Sequence, residues 1–547
     1  MNTASRDRRW NQPLARTGRL SRVVFWLALC GAAAARPASQ PSTATIDVDA
    51  AVRVGRVWPE IMGINLDYGG RAALSNPATM DAVRRIALRS IRFPNGCEAD
   101  RYDWRAENNS KMSVEQFLAF CDAVGAEPYY TLNLQGGTED KQGKPPAGAG
   151  IDEVIRYRHT APNPCGYTDY HYGTLAEVLE FVRKYTIGRA LAGQRPILCY
   201  EMGNENWGQG KTDWPPEHYA ATVAAYARAM RDLVAEAARA HAPLKDLRLW
   251  ITAVGYPMVG NNQDPTQPVD GEVNVRWTRE LNALAAAGLI DAVQDHFYPY
   301  AADGTSLLVW SHHNLQNILY ARRGLANPNL GGRVEPDVAF RMPIEITEWN
   351  VKCWGGPGSA PASVDTAAQQ LFLVDAFRIM IEHGIRRAHL HHLFGGYACG
   401  IMLPDGRTKE NYKVFRFLAG RLGTERVRTA VACGTFDYDC PADARATDFN
   451  AIPPDVKNVP LVSALAMRDE RSLYVLAINR STDKAIEATI RVRGARLGGG
   501  DVRSLTCADF DAREVELKEC TLEAAREPTW RLEPHAAYAF RFALSDG

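Results

Sequence analysis

Between residues 61 and 394 short apolar runs alternate with longer amphipathic stretches. The runs are IMGINLDYG (from Ile61), SIRFPN (from Ser90), PYYTLNLQ (from Pro128), ILCYEMGNE (from Ile197), LRLWITAVG (from Leu247), AVQDHFYPY (from Ala292), PIEITEWN (from Pro343) and RAHLHHLF (from Arg387). Most intervening segments are rich in Ala, Leu and Arg. In His218–Ala240, Tyr219, Val223, Tyr226, Met230, Leu233 and Ala237 recur at spacings of three and four, the period of an amphipathic helix. Near-continuous apolar strands separated by helices imply a parallel sheet covered on its outer face. Eight such units predict an α/β fold, a (β/α)8 TIM barrel over residues 58–421. No glycine-rich phosphate loop follows the first run, so a dinucleotide-binding fold has no support.

After Leu422 the period changes. LVSALAMR, SLYVLAINR, KAIEATIRVR and AAYAFRFAL read as strands between Asp, Gly and Pro turns. In KAIEATIRVR, Ile486, Ala488, Ile490 and Val492 alternate with Glu487, Thr489, Arg491 and Arg493, which predicts a half-buried antiparallel strand. Residues 422–547 are read as a β-sandwich domain, and residues 45–57 as an N-terminal strand that joins it. Leu497–Asp501 (LGGGD) reads as a hairpin turn, and Gly136–Tyr172 as a long loop on the active face of the barrel.

Residues 1–22 carry six arginines against one acid, and the apolar run Val23–Ala35 follows. Thirteen residues are too few to span a bilayer of roughly 30 Å. A basic segment, a short apolar core and small residues read as a signal peptide over residues 1–35. The chain is therefore expected to be exported, to a periplasm or the extracellular space, with no membrane span. Lys+Arg and Asp+Glu both number 63, so the formal net charge is zero, which argues against nucleic acid as a partner. Of eleven cysteines, Cys30 leaves with the signal, and an even number in an exported chain permits disulfides. Cys433/Cys440 and Cys507/Cys520 are the natural local pairs. The absence of any CxxC gives a zinc ribbon no support.

In a barrel of this kind the reacting groups sit at the C-terminal ends of the strands. The first strand ends with Asn65 and Asp67, the second with Arg92, Asn95 and Cys97. The fourth ends with Asn204, Glu205 and, two residues on, Trp207. The sixth ends with His296 and Tyr298, the seventh with Glu348 and Trp349. Carboxylates, amides and aromatics crowd this rim, as a carbohydrate partner requires. Two carboxyl groups ~5–5.5 Å apart cleave an acetal with retention, whereas ~6.5–9.5 Å leaves room for a water and inverts it. Strands four and seven face each other across a narrow lumen, so the short separation is predicted. Glu348 is then the nucleophile and Glu205 the acid/base. Glu205 has to start protonated, a state that an ionised neighbour favours. Asn204 is placed to hold a sugar 2-hydroxyl. Glu201 and Glu345, earlier on the same strands, read as ion-paired structural groups. His391 or His392 reads as pocket-lining; without a matching carboxylate or cysteine set, no metal is implied. Acid/base and nucleophilic chemistry on an acetal needs no cofactor. Cys97 has no histidine partner and reads as a disulfide cysteine rather than a nucleophile.

At these motifs the chain resembles the retaining glycoside hydrolases of clan A, most closely the family 51 α-L-arabinofuranosidases. MGINLDYGGR is similar to that family's first-strand segment, with Asp67 in the place of a substrate-binding glutamate. RFPNGCEADRYDWR is similar to the second-strand segment and brings Arg92 and Cys97 to sugar-binding positions. YEMGNENWG resembles the acid/base segment and EITEWNV the nucleophile segment. DHFYPY matches the sixth-strand segment loosely and carries Tyr298 over as a contact near the nucleophile. The resemblance implies an α-L-arabinofuranoside as the carbohydrate substrate and a terminal sandwich beside the barrel; the alternatives are another clan A activity (β-xylosidase, β-glucuronidase or endo-glucanase) and a non-catalytic carbohydrate-binding protein on a decayed barrel. Three features depart from the pattern. Asp67 is shorter than the glutamate, HLHHLFGG lacks the glutamine often found there, and the Thr before Glu348 is closer to β-xylosidases and β-glucuronidases of the same clan.

Overall fold

The computed structural model describes residues 42–106, 111–159, 171–207, 214–257, 271–299, 304–327, 336–352, 365–395, 399–440 and 455–545. The segment read as a signal peptide lies outside these residues, as do Cys165 and Cys353. No described helix is long and apolar enough to cross a membrane.

The eight apolar runs become the eight strands of a closed parallel barrel: β2 (Gly63–Asn65), β3 (Ser90–Phe93), β4 (Glu127–Leu132), β5 (Cys199–Met202), β6 (Trp250–Val254), β7 (Ala292–Phe297), β8 (Ile344–Trp349) and β9 (Ala388–Leu390). The ring closes where Gly63 and Ile64 pair with His389 and Leu390. Nearly every barrel residue is buried, because helices cover one face and lumen side chains fill the other. The helix Pro216–Ala240 buries Tyr219, Val223, Tyr226 and Met230, the stripe its spacing predicts. Ser113 and Gln116 form a capping box that starts the helix Val114–Val124. The helix Ala367–Glu382 is instead buried on all sides from Ala367 to Ile381. It lies between the barrel and the second layer, which removes its polar face.

That second layer is a nine-stranded, mostly antiparallel sheet. The chain's first strand, β1 (Ser42–Arg56), lies inside it between β10 (Glu425–Cys433) and β15 (Ile486–Arg493). The other members are β13 (Val462–Arg468), β14 (Ser472–Asn479), β16 (Arg496–Thr506), β17 (Glu516–Leu522), β18 (Thr529–Leu532) and β19 (Ala536–Ser545). A separate ribbon pairs β11 (Thr435–Asp439) with β12 (Asp455–Pro460). The expected sandwich takes the form of one hydrogen-bonded ladder around a single apolar core that includes Ile46, Val475, Ile490, Phe540 and Phe542. β15 alternates as predicted, with Ile486, Ala488 and Ile490 inward. β14 shows no alternation of buried and exposed positions, because both of its faces are covered. Leu473, Val475 and Ala477 face the sheet's own core, while Leu476 and Ile478 join the barrel's.

Two expectations fail here. Leu497–Asp501 is no hairpin turn: it runs within β16, with a register shift between Leu497 and Gly500. A Cβ on Gly500 would collide with the Arg541 carbonyl, so the glycine serves close strand approach rather than reversal. The local cysteine pairs do not form either, and Cys433, Cys440, Cys507 and Cys520 are thiols. Cys433 Sγ sits 3.5 Å from the Val462 carbonyl of β13 and Cys507 Sγ 3.2 Å from that of His535, just before β19, each drawn to another segment rather than its local partner. Cys97 and Cys399 are disulfide-bonded.

Candidate active site

Strand alternation alone would point Thr347 into the lumen and Glu348 away from it. The ladder between β7 and β8 has a bulge: Asp295 pairs with Ile346, but His296 pairs with Glu348. Thr347 is the extra residue. Consequently Glu345, Thr347 and Glu348 all reach inward, while Trp349 turns outward onto Phe297 and Phe377. Bulges beside reaction sites re-aim a side chain in this way. Glu205 follows β5 with φ of 47°, in the left-handed region. A non-glycine residue held there stores of order 1–3 kcal/mol, which the surrounding contacts must offset. Oxygens of Glu205 and Glu348 and a ring nitrogen of His296 then lie within 4.8 Å of one another.

Arg92, fully buried, organises the floor of this cleft. Its Nε donates to Glu201 Oε2 at 2.6 Å, Nη1 to Asn65 Oδ1 and to Glu348 Oε2, both at 2.9 Å, and Nη2 to Asn204 Oδ1 at 2.8 Å. The Tyr298 hydroxyl donates to the other Glu348 oxygen at 2.6 Å. Burial works against a charge on Glu348. His391, His296, Arg92 and the Tyr298 hydrogen bond outweigh it and pull the pKa down to about 2. His391 itself is held near neutral by burial and by His392, down to about 3, so the lasting positive charge beside Glu348 is Arg92. Gly96 closes the other side: a Cβ there would lie 2.8 Å from Glu348 Oε2.

Glu205 Oε1 is 3.0 Å from His296 Nδ1, and His296 Nε2 is 2.9 Å from Thr347 Oγ1. Thr347 in turn donates to Glu201 Oε1 at 2.5 Å. Burial lowers the pKa of His296, but the Glu205 hydrogen bond and the Glu348 charge raise it further, and the net shift is upward. Although three donors converge here, Arg92 already supplies the positive charge at Glu348 Oε2, so the cluster is not read as a metal centre. Asp103, His171 and Glu177 also converge. There the imidazole is used by protein groups, with Nε2 2.7 Å from Glu177 and Nδ1 3.9 Å from Asp103, and Arg105 adds a cation 3.5 Å from Glu177.

The structure brings Glu205, Glu348, Arg92, Asn204, His296 and Tyr298 together. Asp67 and His392 form the rim beside them, with His392 Nδ1 3.6 Å from Asp67 Oδ2. Asn95 is buried next to Gly96, and its Oδ1 has no partner among the described residues. Trp207 is buried edge-on to Tyr256 at 6.2 Å. Three assignments need correction. Asn65 is fully buried, donating to the carbonyls of Thr347 and His389, so it braces the barrel rather than meeting a ligand. Trp349 is fully buried on the helix side of β8, because the bulge that turns Glu348 in turns it out. Cys97 has its sulfur in a disulfide, which removes the thiol from ligand binding. Sequence reasoning missed Thr347, whose hydroxyl becomes central only through the bulge. It also missed Glu98, two residues past Gly96. Burial raises the Glu98 pKa, as do the charges of Asp67 and Glu348.

No protein-family model matches the chain. A probable α-L-arabinofuranosidase C of Aspergillus clavatus is 22% identical, over 92% of this chain and 96% of that protein. An intracellular exo-α-L-arabinofuranosidase of Bacteroides ovatus is 25% identical over 26% of each. Among solved structures, the α-L-arabinofuranosidase of Thermotoga maritima in complex with arabinose superposes with a TM-score of 0.62 at 19% identity, covering 92% of this chain and all of that one. A family 44 xyloglucanase of Paenibacillus polymyxa superposes less closely, with a TM-score of 0.55 at 14% identity, covering 92% of this chain and all of that one. Over 92% of its length the chain is thus similar in sequence to an α-L-arabinofuranosidase, and its fold is similar to that of GH51 α-L-arabinofuranosidases.

Proposed function

We propose that the chain is an exported glycoside hydrolase that cleaves α-L-arabinofuranosides of plant or microbial polysaccharide with retention, through Glu348 and Glu205. The observation that carries this reading is the approach of one oxygen of each carboxyl group to within 4.8 Å across the barrel mouth, on the short side of the ~6.5–9.5 Å gap that would admit an inverting water. Their surroundings differ as the two roles require. Glu348 is held ionised by Arg92 and Tyr298, whereas Glu205 faces an imidazole able to share a proton.

In the first step the Glu348 carboxylate attacks the anomeric carbon while Glu205 gives its proton to the departing oxygen, and the glycosidic bond breaks. In the second step water attacks the same carbon from the vacated side. Glu205 takes a proton from that water, and Glu348 leaves as a carboxylate. Arg92 and Tyr298 hold Glu348 in place through both steps, and Asn204, itself fixed by Arg92, presents its amide to the sugar 2-hydroxyl. Support for the arabinofuranoside comes from the names of the relatives and from the motif resemblance. Export rests on the basic and apolar pattern of residues 1–35.

Thr347, with Asp67 and the missing strand-eight glutamine as further departures, favours one second reading, a β-xylosidase or β-glucuronidase on the same machinery. Nitrophenyl glycosides of the three sugars separate them. The first reading expects the arabinofuranoside to be turned over fastest, with the first-formed sugar keeping its anomeric configuration by proton NMR. Turnover of another glycoside without the arabinofuranoside replaces the sugar, and an inverted product removes the mechanism.

A further inference from the structure

The hydrogen-bond chain Glu201–Thr347–His296–Glu205 has a fixed direction. Glu201 is ion-paired with Arg92 at 2.6 Å and also accepts from the Thr131 hydroxyl at 2.8 Å. Thr347 therefore gives its only hydroxyl proton to Glu201 Oε1. Having donated, Thr347 Oγ1 can only accept from the ring nitrogen 2.9 Å away, so His296 Nε2 must carry a hydrogen. That leaves Nδ1 of the neutral ring as a lone pair aimed at Glu205 Oε1 from 3.0 Å. An ionised Glu205 and a neutral ring would then face each other as two acceptors. One further proton is needed between them, and it resides on Glu205 or on Nδ1.

We infer that Thr347 acts through His296 as the positioning residue that keeps this proton in the Glu205–His296 pair of the resting enzyme. The inference rests on the two-glutamate reading above and adds how the acid/base is kept loaded. After Glu205 protonates the leaving oxygen, its carboxylate faces the Nδ1 lone pair. That repulsion favours recovery of a proton from the attacking water. The other charged and titratable groups around His296 are Glu348 on β8, Arg92 on β3, His389 on β9 and Asp295 on its own strand. Asp295 is occupied by Arg322 at 3.0 Å. None of these offers Nε2 an alternative acceptor among the contacts described.

Thr347→Val removes the acceptor while keeping the shape. The ring is then free to adopt the Nδ1–H form and donate to an ionised Glu205, and the extra proton is no longer required. For glycosides with poor leaving groups, kcat/KM should fall at least about tenfold, and its basic limb should move about one pH unit lower. A dinitrophenyl glycoside should change much less. Thr347→Ser should restore both the rate and the limb, and Thr347→Ala serves if the valine variant does not fold. Equal slowing of both substrate classes with an unmoved limb would overturn the inference in favour of a merely structural hydroxyl. ¹⁵N NMR of histidine-labelled protein, with His296 assigned by its loss in His296→Asn, decides the matter without turnover. Above its titration the wild-type ring should be protonated at Nε2 and the valine variant's at Nδ1; the same tautomer in both rejects the inference. A wild-type protein that hydrolyses no glycoside would sink the proposed function instead, and the tautomer result would still stand.

Discussion

The barrel lumen holds two arginine–glutamate layers, one above the other, and they differ in a single respect. In the lower layer Arg387 pairs with Glu345, which also accepts from Tyr129, Thr252 and Trp250. Every polar arm there ends on the protein. In the upper layer Arg92 pairs with Glu201, but its remaining arms reach Asn65 and two groups at the cleft, Glu348 and Asn204. Both arginines and both glutamates are fully buried. The lower layer is therefore a plug and the upper one a support for chemistry. What separates them is the β7–β8 bulge, which brings a second carboxylate from the same strand down to the arginine.

Substitutions should separate the layers, beginning with the largest effect. Glu348→Gln is expected to reduce turnover roughly 10⁴-fold with an unchanged circular dichroism spectrum. Glu205→Ala should slow poor leaving groups by roughly 10²–10⁴-fold and largely spare dinitrophenyl glycosides.

Arg92→Met and Arg387→Met each strand a buried glutamate, and each should destabilise by about 3–5 kcal/mol in urea unfolding. Only Arg92→Met should also lower kcat per folded molecule, by roughly 10²-fold. A comparable loss of kcat in the folded Arg387→Met protein would erase the distinction between the layers.

Acid should weaken the upper layer together with the contact between barrel and sheet. Burial opposes the charge on Glu348 and Asp375, but nearby cations and hydrogen bonds more than compensate and lower both pKa values. For Asp375 these are Arg480, Arg378 and the Ser311 hydroxyl. A depressed carboxyl contributes its stability above its ordinary pKa and loses it as the pH falls through the folded value. The contribution of these two carboxyl groups to the unfolding free energy should thus be constant above the ordinary glutamate value of 4.5 and fall below it, with the Glu348 part lost towards about 2. Asp375→Asn should reduce the part of that slope that lies below the ordinary aspartate value of 3.8. The smallest effect belongs to Trp349→Phe, about 1 kcal/mol of stability with KM unchanged, because the ring packs against Phe377 outside the lumen.

How far the sequence reaches is clearest along β8. Its apolar run, length and place in an eightfold alternation make it legible as a barrel strand, and Glu-Trp-Asn marks its end as chemical. The facing of those residues is not legible, because a period of two cannot accommodate Glu345, Thr347 and Glu348 on one side. The bulge is set by pairing with β7, a contact between distant segments. The same limit explains Trp349, correctly placed at a strand end but turned away from the pocket, while Asn65 is buried beneath the pocket with its amide used up by Arg92 and two barrel carbonyls. In the sheet, β15 was legible because one face meets polar surroundings. The facing of β14 was not, since burial on both sides erases the alternation. The glycine run in β16 imitates a turn because close strand approach and reversal both call for the smallest residue. The local cysteine pairs misled because closeness along the chain says nothing of which strand each sulfur faces.

The most direct test of Glu348 as nucleophile is to capture it. An activated 2-deoxy-2-fluoro glycoside forms the covalent intermediate but slows its hydrolysis, so the sugar accumulates on the attacking carboxylate. Tryptic digestion and tandem mass spectrometry should place the added mass within Met342–Lys352 and, in that peptide, on Glu348 rather than Glu345. A label on Glu205, Asp67 or Glu98 would contradict the account, as would an inactivated enzyme that carries no adduct.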